Sequence, residues 1–171
     1  MVSSVRLAWI FIGSAATFVV AVRLLWPALG APLLINTTVS EPRGIYRVAR
    51  RPAYSRGMLV VLPVPASVAT LVTERGWLAR GVPLIKGVGA VAGDRVCVTD
   101  EAVTVNGTLV GPVYARDSNG RPLPVVRGCE RVPAGEFWPL SAYALKSFDG
   151  RYMGAQPVSS ILGEAVPVWT H

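Results

Sequence analysis

The sequence is short of the groups that most often carry chemistry. It holds one histidine, His171, the last residue. Most serine hydrolases take the hydroxyl proton with histidine, so a hydrolytic serine in this chain needs another base. Two cysteines and one histidine are too few ligands for a metal centre, and neither metal nor cofactor is expected. Acids are scarce, 10 against 17 basic residues, for a net charge of +7. That charge is scattered over arginines, with no basic block and no interleaved aromatics, which argues against a nucleic-acid groove and for a surface facing anionic lipid headgroups. Lysine itself is rare: only Lys86 and Lys146 occur.

Apolar residues are plentiful, at 51% of 171 positions with a mean hydropathy of +0.45. A soluble domain carries less, so part of the surplus is expected in lipid. Leu7 to Val22 is free of charge, and if Arg23 snorkels the run continues to Trp26. About twenty helical residues span the roughly 30 Å of a bilayer core, and Trp26 suits an interfacial anchor. The rival reading is a cleaved secretory signal ending near Ala28-Leu29-Gly30. Either way the remainder lies outside the cytoplasm, which divides the chain into an anchor and linker (1–30) and an extracytoplasmic domain (31–171). In an oxidising compartment Cys97 and Cys129 are expected to form one disulfide, contributing about 3–4 kcal/mol in the chain-entropy model.

Beyond the linker, the pattern is mostly β. Strands are expected at Gly44 to Val48, Met58 to Leu62, Val82 to Val88, Arg95 to Thr99, Phe137 to Leu140 and Ile161 to Val168. One short helix is expected over Ala66 to Arg75, stopped by Gly76. Asn106-Gly107 between Val103-Thr104-Val105 and Thr108-Leu109-Val110 reads as a tight hairpin. Asp117 to Pro124 is a polar loop.

Without histidine, a desolvated lysine is the available base, because burial disfavours the ammonium. Arginine stays charged and cannot serve. Lys86 sits among apolar residues in Val82-Pro83-Leu84-Ile85-Lys86-Gly87-Val88, whereas Lys146 borders a polar stretch. Taken alone, Lys86 reads better as a snorkelling strand-edge lysine, and Ser40 as a hydrogen-bonded turn residue.

Three motifs change that balance. Asn36-x-Thr38-x-Ser40-x-Pro42-Arg43-Gly44-x-Tyr46, then Leu84-Ile85-Lys86-Gly87-Val88 with Gly93-Asp94-Arg95-Val96, then Ser147-Phe148-Asp149-Gly150-Arg151-Tyr152-Met153-Gly154 occur in this order. They resemble the serine, lysine and third boxes of the conjugative-transfer signal peptidases, the TraF-type branch of the bacterial type I signal peptidases. The resemblance implies a signal-peptidase-like β domain behind one N-terminal transmembrane helix, single-pass in the bacterial cytoplasmic membrane with its catalytic domain in the periplasm. It implies Ser40 as nucleophile, Lys86 as base, Ser147 orienting the lysine, and Asp149 with Arg151 as an ion pair holding the loop. The oxyanion would meet the Ser40 N–H and the Thr38 hydroxyl. The implied partners are the bilayer and a membrane-held pilin or preprotein with small residues before the cut; in this branch pilin maturation can end in a head-to-tail cyclic product. Two positions depart from the pattern: Gly87, where arginine is common, and Gly150, where serine is usual. The rivals are a general leader peptidase and a non-enzymatic membrane-tethered β domain. A cytoplasmic self-cleaving repressor also uses serine and lysine, but would carry a DNA-binding domain where this chain has an apolar span.

Overall fold

The computed structural model describes residues 32–171. The expected membrane span and linker lie outside them. Among the described residues, no helix is long and apolar enough to cross a membrane.

Among the described residues, eleven strands form two antiparallel sheets. The larger runs β1 (Leu33–Asn36), β2 (Gly44–Ala49), β11 (Gly163–Thr170), β3 (Leu59–Leu62), β4 (Leu84–Val91), β9 (Glu136–Leu140) and β10 (Gln156–Pro157). The smaller runs β7 (Thr108–Pro112), β6 (Ala102–Val105), β5 (Arg95–Val98) and β8 (Gly128–Arg131). Helix α1 (Ala66–Glu74) buries Val68 and Val72, and the chain leaves it through Gly76 at φ 69°. A single helical turn, α2 (Gly150–Met153), which the sequence reading did not place, is capped by the Asp149 side chain accepting from the Arg151 N–H.

The expected hairpin joins β6 to β7. Asn106 and Gly107 both take positive φ, 51° and 81°, the conformation a primed two-residue turn requires. Cys97 on β5 stands directly opposite Cys129 on β8, and the two are bridged.

Strands β1, β8 and β10 lie where the sequence reading placed none, and β4 starts and ends elsewhere than expected. β1 pairs with β2 from Leu33 to Asn36 and carries the chain to the serine box. β4 begins after Pro83 and continues to Val91, past Gly89, with a register shift between Val88 and Ala90 against β9. A side chain at Gly89 would strike Leu140, at 2.6 Å from its Cβ. Glycine there is a packing requirement.

Candidate active site

The serine box is a loop between β1 and β2 held by Asn36, the last residue of β1. Its buried amide donates to the carbonyls of Glu41 and Pro42, both at 3.0 Å, and its Oδ1 accepts from the Thr38 N–H (3.1 Å) and hydroxyl (2.7 Å). The Tyr46 hydroxyl, on β2, donates to the same Pro42 carbonyl at 2.6 Å. One amide thus satisfies four groups of the loop from Thr37 to Arg43, and Ser40 is presented half-buried within it. Gly44 ends the loop at φ 147°, where any Cβ would run into the Trp169 carbonyl of β11. Asn36 and Tyr46 stood in the motif without an assigned role; the geometry supplies one.

Lys86 projects from β4, between Val60 of β3 and the third box. It is 2% exposed. Its Nζ donates to Ser147 Oγ at 2.9 Å, and Ser147 is equally buried. Burial lowers the Lys86 pKa from 10.5 to about 8, against the opposing pull of Asp149 and Glu41, with Arg151 adding to the fall. A lysine in that range supplies neutral amine near neutral pH, which an ordinary one does not.

The third box is tied down by charge. Arg151 grips Asp149 through Nε to Oδ1 and Nη2 to Oδ2, both at 2.8 Å, with neither residue more than 1% exposed. The remaining guanidinium nitrogen donates to the carbonyls of Pro112 and Leu145, at 2.7 and 2.9 Å. Asp149 Oδ2 also accepts from the Ser141 N–H at 3.0 Å. Ser141, at the end of β9, was not singled out from the sequence. Its hydroxyl donates to the Ser40 carbonyl at 2.6 Å, which links the serine-box backbone to the Asp149–Arg151 anchor. The contact spans 101 positions, and no local pattern announces it.

Ser40, Thr38, Lys86 and Ser147 line one cavity of about 760 Å³. Val72, Leu78, Leu84 and Phe148 make much of its apolar wall, and Lys146 lies exposed at its edge. Among the described residues Ser40 Oγ has one hydrogen-bonding neighbour, Thr38 Oγ1 at 3.4 Å, and no bond joins Ser40 to Lys86. Catalytic hydrogen bonds are often long before substrate binds. The Thr38 hydroxyl has its hydrogen on Asn36, so meeting an oxyanion would require it to turn. The Ser40 N–H makes no hydrogen bond among the described residues. His171 is not part of the cavity lining; its ring packs tilted against Trp169 with centroids 4.9 Å apart.

A model of the family described as signal peptidase, peptidase S26, matches residues 6–170. The chain belongs to that family. Its TraF-type character rests on curated relatives. A conjugal transfer protein TraF of Agrobacterium fabrum is 38% identical over 80% of this chain and 81% of its own length. A probable conjugal transfer protein TraF of Sinorhizobium fredii is 34% identical over 95% and 90%, and a plasmid transfer protein TraF of Escherichia coli is 33% identical over 80% and 82%. A signal peptidase I of Enterococcus faecalis aligns at 18% identity and a TM-score of 0.39 over 68% of this chain and 97% of that one, too distant to bear on the site. Membership of the S26 family makes the chain a serine peptidase.

The two departures from the TraF-type boxes have steric reasons. A side chain on Gly87 would sit 2.7 Å from the Leu140 carbonyl of β9. One on Gly150 would meet the Trp138 indole and lie 2.6 Å from the Pro139 carbonyl. In this signal peptidase the tryptophan occupies the space the usual serine would need.

Proposed function

We propose that this protein is a membrane-bound serine endopeptidase of the signal peptidase type, anchored in the inner membrane, that matures a membrane-held pilin precursor for conjugative transfer. Ser40 is the nucleophile and Lys86 the general base. The observation that carries the reading is a buried lysine with its pKa lowered to about 8, sharing one cavity with the serine of the first box. Neutral Nζ takes the proton as Ser40 Oγ forms a bond to the scissile carbonyl carbon. The oxyanion is met by the Ser40 N–H. As the C–N bond breaks, the same proton passes to the leaving amine. Ser147 holds Nζ in place, and the Asp149–Arg151 pair holds Ser147's segment. The names of the relatives support conjugation as the setting.

An acyl-enzyme confined near the membrane with its substrate's own amino terminus favours attack by that amine. Oriented intramolecular groups reach effective molarities of about 10⁵ M, so cyclisation competes with hydrolysis. Coexpression with a candidate pilin and intact-mass measurement of the product tests both levels. The expected product is one water lighter than the linear product of the same cut. Ser40→Ala and Lys86→Arg should each leave the precursor uncut while the protein accumulates in the membrane. Processing retained in Lys86→Arg would remove Lys86 as the base, and a linear product with a free amino terminus would limit the enzyme to hydrolysis. Release of unrelated secreted proteins, with the pilin left uncut, would make it a general leader peptidase.

A further inference from the structure

Glu41 follows the nucleophile, yet it is 4% exposed and its Oε1 has no hydrogen-bond partner. An unpaired polar atom in the interior is costly unless something compensates it. The Glu41 carbonyl is fixed by Asn36, so the loop cannot swing the side chain freely into water. The carboxyl lies against the Ser141 hydroxyl and the Gly87 N–H and faces Lys86, Asp149 and the Tyr46 phenol. Ser141 has only one hydroxyl hydrogen, and it is committed to the Ser40 carbonyl. The charge on Glu41 therefore has to be answered by Lys86 or by the Gly87 N–H.

The other charges near the base offset one another in part. Asp149 pulls on Lys86 more strongly than Glu41 does, but its carboxylate is held by the Arg151 fork, and Arg151 opposes it at the lysine. Among the described residues, Glu41 is then the buried carboxylate near Lys86 that no guanidinium holds, while Lys86 Nζ keeps its bond to Ser147. We propose that Glu41 is a positioning residue for the base, its carboxylate being the counter-charge that stabilises Lys86 once Nζ has taken up the Ser40 proton. In that step the Ser40 O–H bond breaks, the proton goes to the Nζ lone pair, and Glu41 neither gains nor loses a proton. The proposal rests on Lys86 acting as the base. Burial raises the Glu41 pKa, which keeps the carboxyl's own ionisation linked to that of the lysine.

The test is to titrate Lys86 directly in the full chain in detergent, by NMR of ¹³C-labelled lysine. Only two lysines occur, so Lys146→Arg assigns the signals. Glu41→Gln should lower the Lys86 midpoint by on the order of one pH unit, while Glu41→Asp, which keeps the charge, should hold it closer to wild type. The acid limb of kcat/KM on the pilin substrate should move to lower pH with it. Should Glu41→Gln fail to fold, the wild-type protein answers the question: labelled Glu41 carboxyl carbon should show an inflection at the Lys86 midpoint. An unmoved Lys86 midpoint in a folded Glu41→Gln, or a Glu41 signal blind to the lysine, overturns the proposal. Processing by Lys86→Arg is a separate result and defeats the base assignment instead.

Discussion

In the four-stranded sheet, Val96, Val98, Val103 and Val105 alternate inward onto Val113, Val132 and Trp138. The outward face of β5 is bolted to β8 by the Cys97–Cys129 bridge. The seven-stranded sheet buries Val60, Leu62, Val88 and Phe137 in the same manner, but Lys86 occupies an inward position of β4 beside them. Glu41, Asp149 and Arg151 surround that lysine within the interior. The small sheet gains stability from apolar burial and a crosslink. The large sheet gives some up to keep a lysine dry, and that lysine is the proposed base.

Breaking the charge anchor should have the largest effect on stability. Asp149→Ala leaves the Arg151 guanidinium buried without its carboxylate and the Ser141 N–H without its acceptor. The expected loss is about 3–5 kcal/mol, read by denaturant unfolding of the full chain in detergent. A loss no larger than that of an exposed pair, such as Arg127–Asp100, would mean the interior tolerates the free guanidinium.

The small sheet has its own breaking point. Reducing a bridge that closes a 32-residue separation should cost about 3–4 kcal/mol in the chain-entropy model. Thiol labelling of native protein from an oxidising periplasm should find no free thiol until reductant is added. Because the crosslink belongs to the sheet that carries neither Ser40 nor Lys86, processing by reduced but folded protein should persist.

The third comparison is between the two sheets' shared wall and the third box. Trp138 packs into the small sheet's core on one side and fills the space over Gly150 on the other. Gly150→Ser restores the residue usual in the TraF-type box and should nevertheless destabilise by about 3 kcal/mol. A smaller residue at position 138 should recover part of that loss, as a double-mutant cycle would show. An additive pair would separate the glycine from the tryptophan.

Legibility did not divide between the sheets, since β2, β3, β4, β9 and β11 of the large one were expected as well. The small sheet's β5, β6 and β7 were readable because their valines alternate and Asn106-Gly107 marks the turn. β8 was not, because Gly128–Arg131 is exposed at all four positions and carries no apolar rhythm. Nor was β1, where the exposed Leu33 and Ile35 flank the half-buried Leu34 and hide the alternation. Gly89 looked like the end of a strand, when Leu140 requires glycine in the middle of one. Ser40, Lys86 and Ser147 stood out through resemblance and the scarcity of lysine. Ser141 and Glu41 did not, since their roles arise from contacts between segments far apart in the chain.

The smallest expected effect is also the most direct measure of what the dry lysine costs. Lys86 titrates near 10.5 when unfolded and at about 8 when folded. Between those values the unfolded chain binds more protons than the native one, so stability rises with pH across that window. Below about 8 both states are protonated and the full penalty of burying the ammonium is felt; above 10.5 both are neutral and it vanishes. Lys86→Met replaces the charge with a flexible apolar chain of similar length and removes the titration. It also strips Ser147 and Glu41 of a partner, which offsets part of the gain. A net stabilisation of about 2 kcal/mol at pH 7 is expected, shrinking as pH climbs from 8 toward 10.5 while processing is lost throughout. Wild-type and Lys86→Met unfolding curves measured at pH 7, 9 and about 10.5 decide it. A gap that does not change with pH would show that the lysine is no more strained in the native state than in the unfolded one.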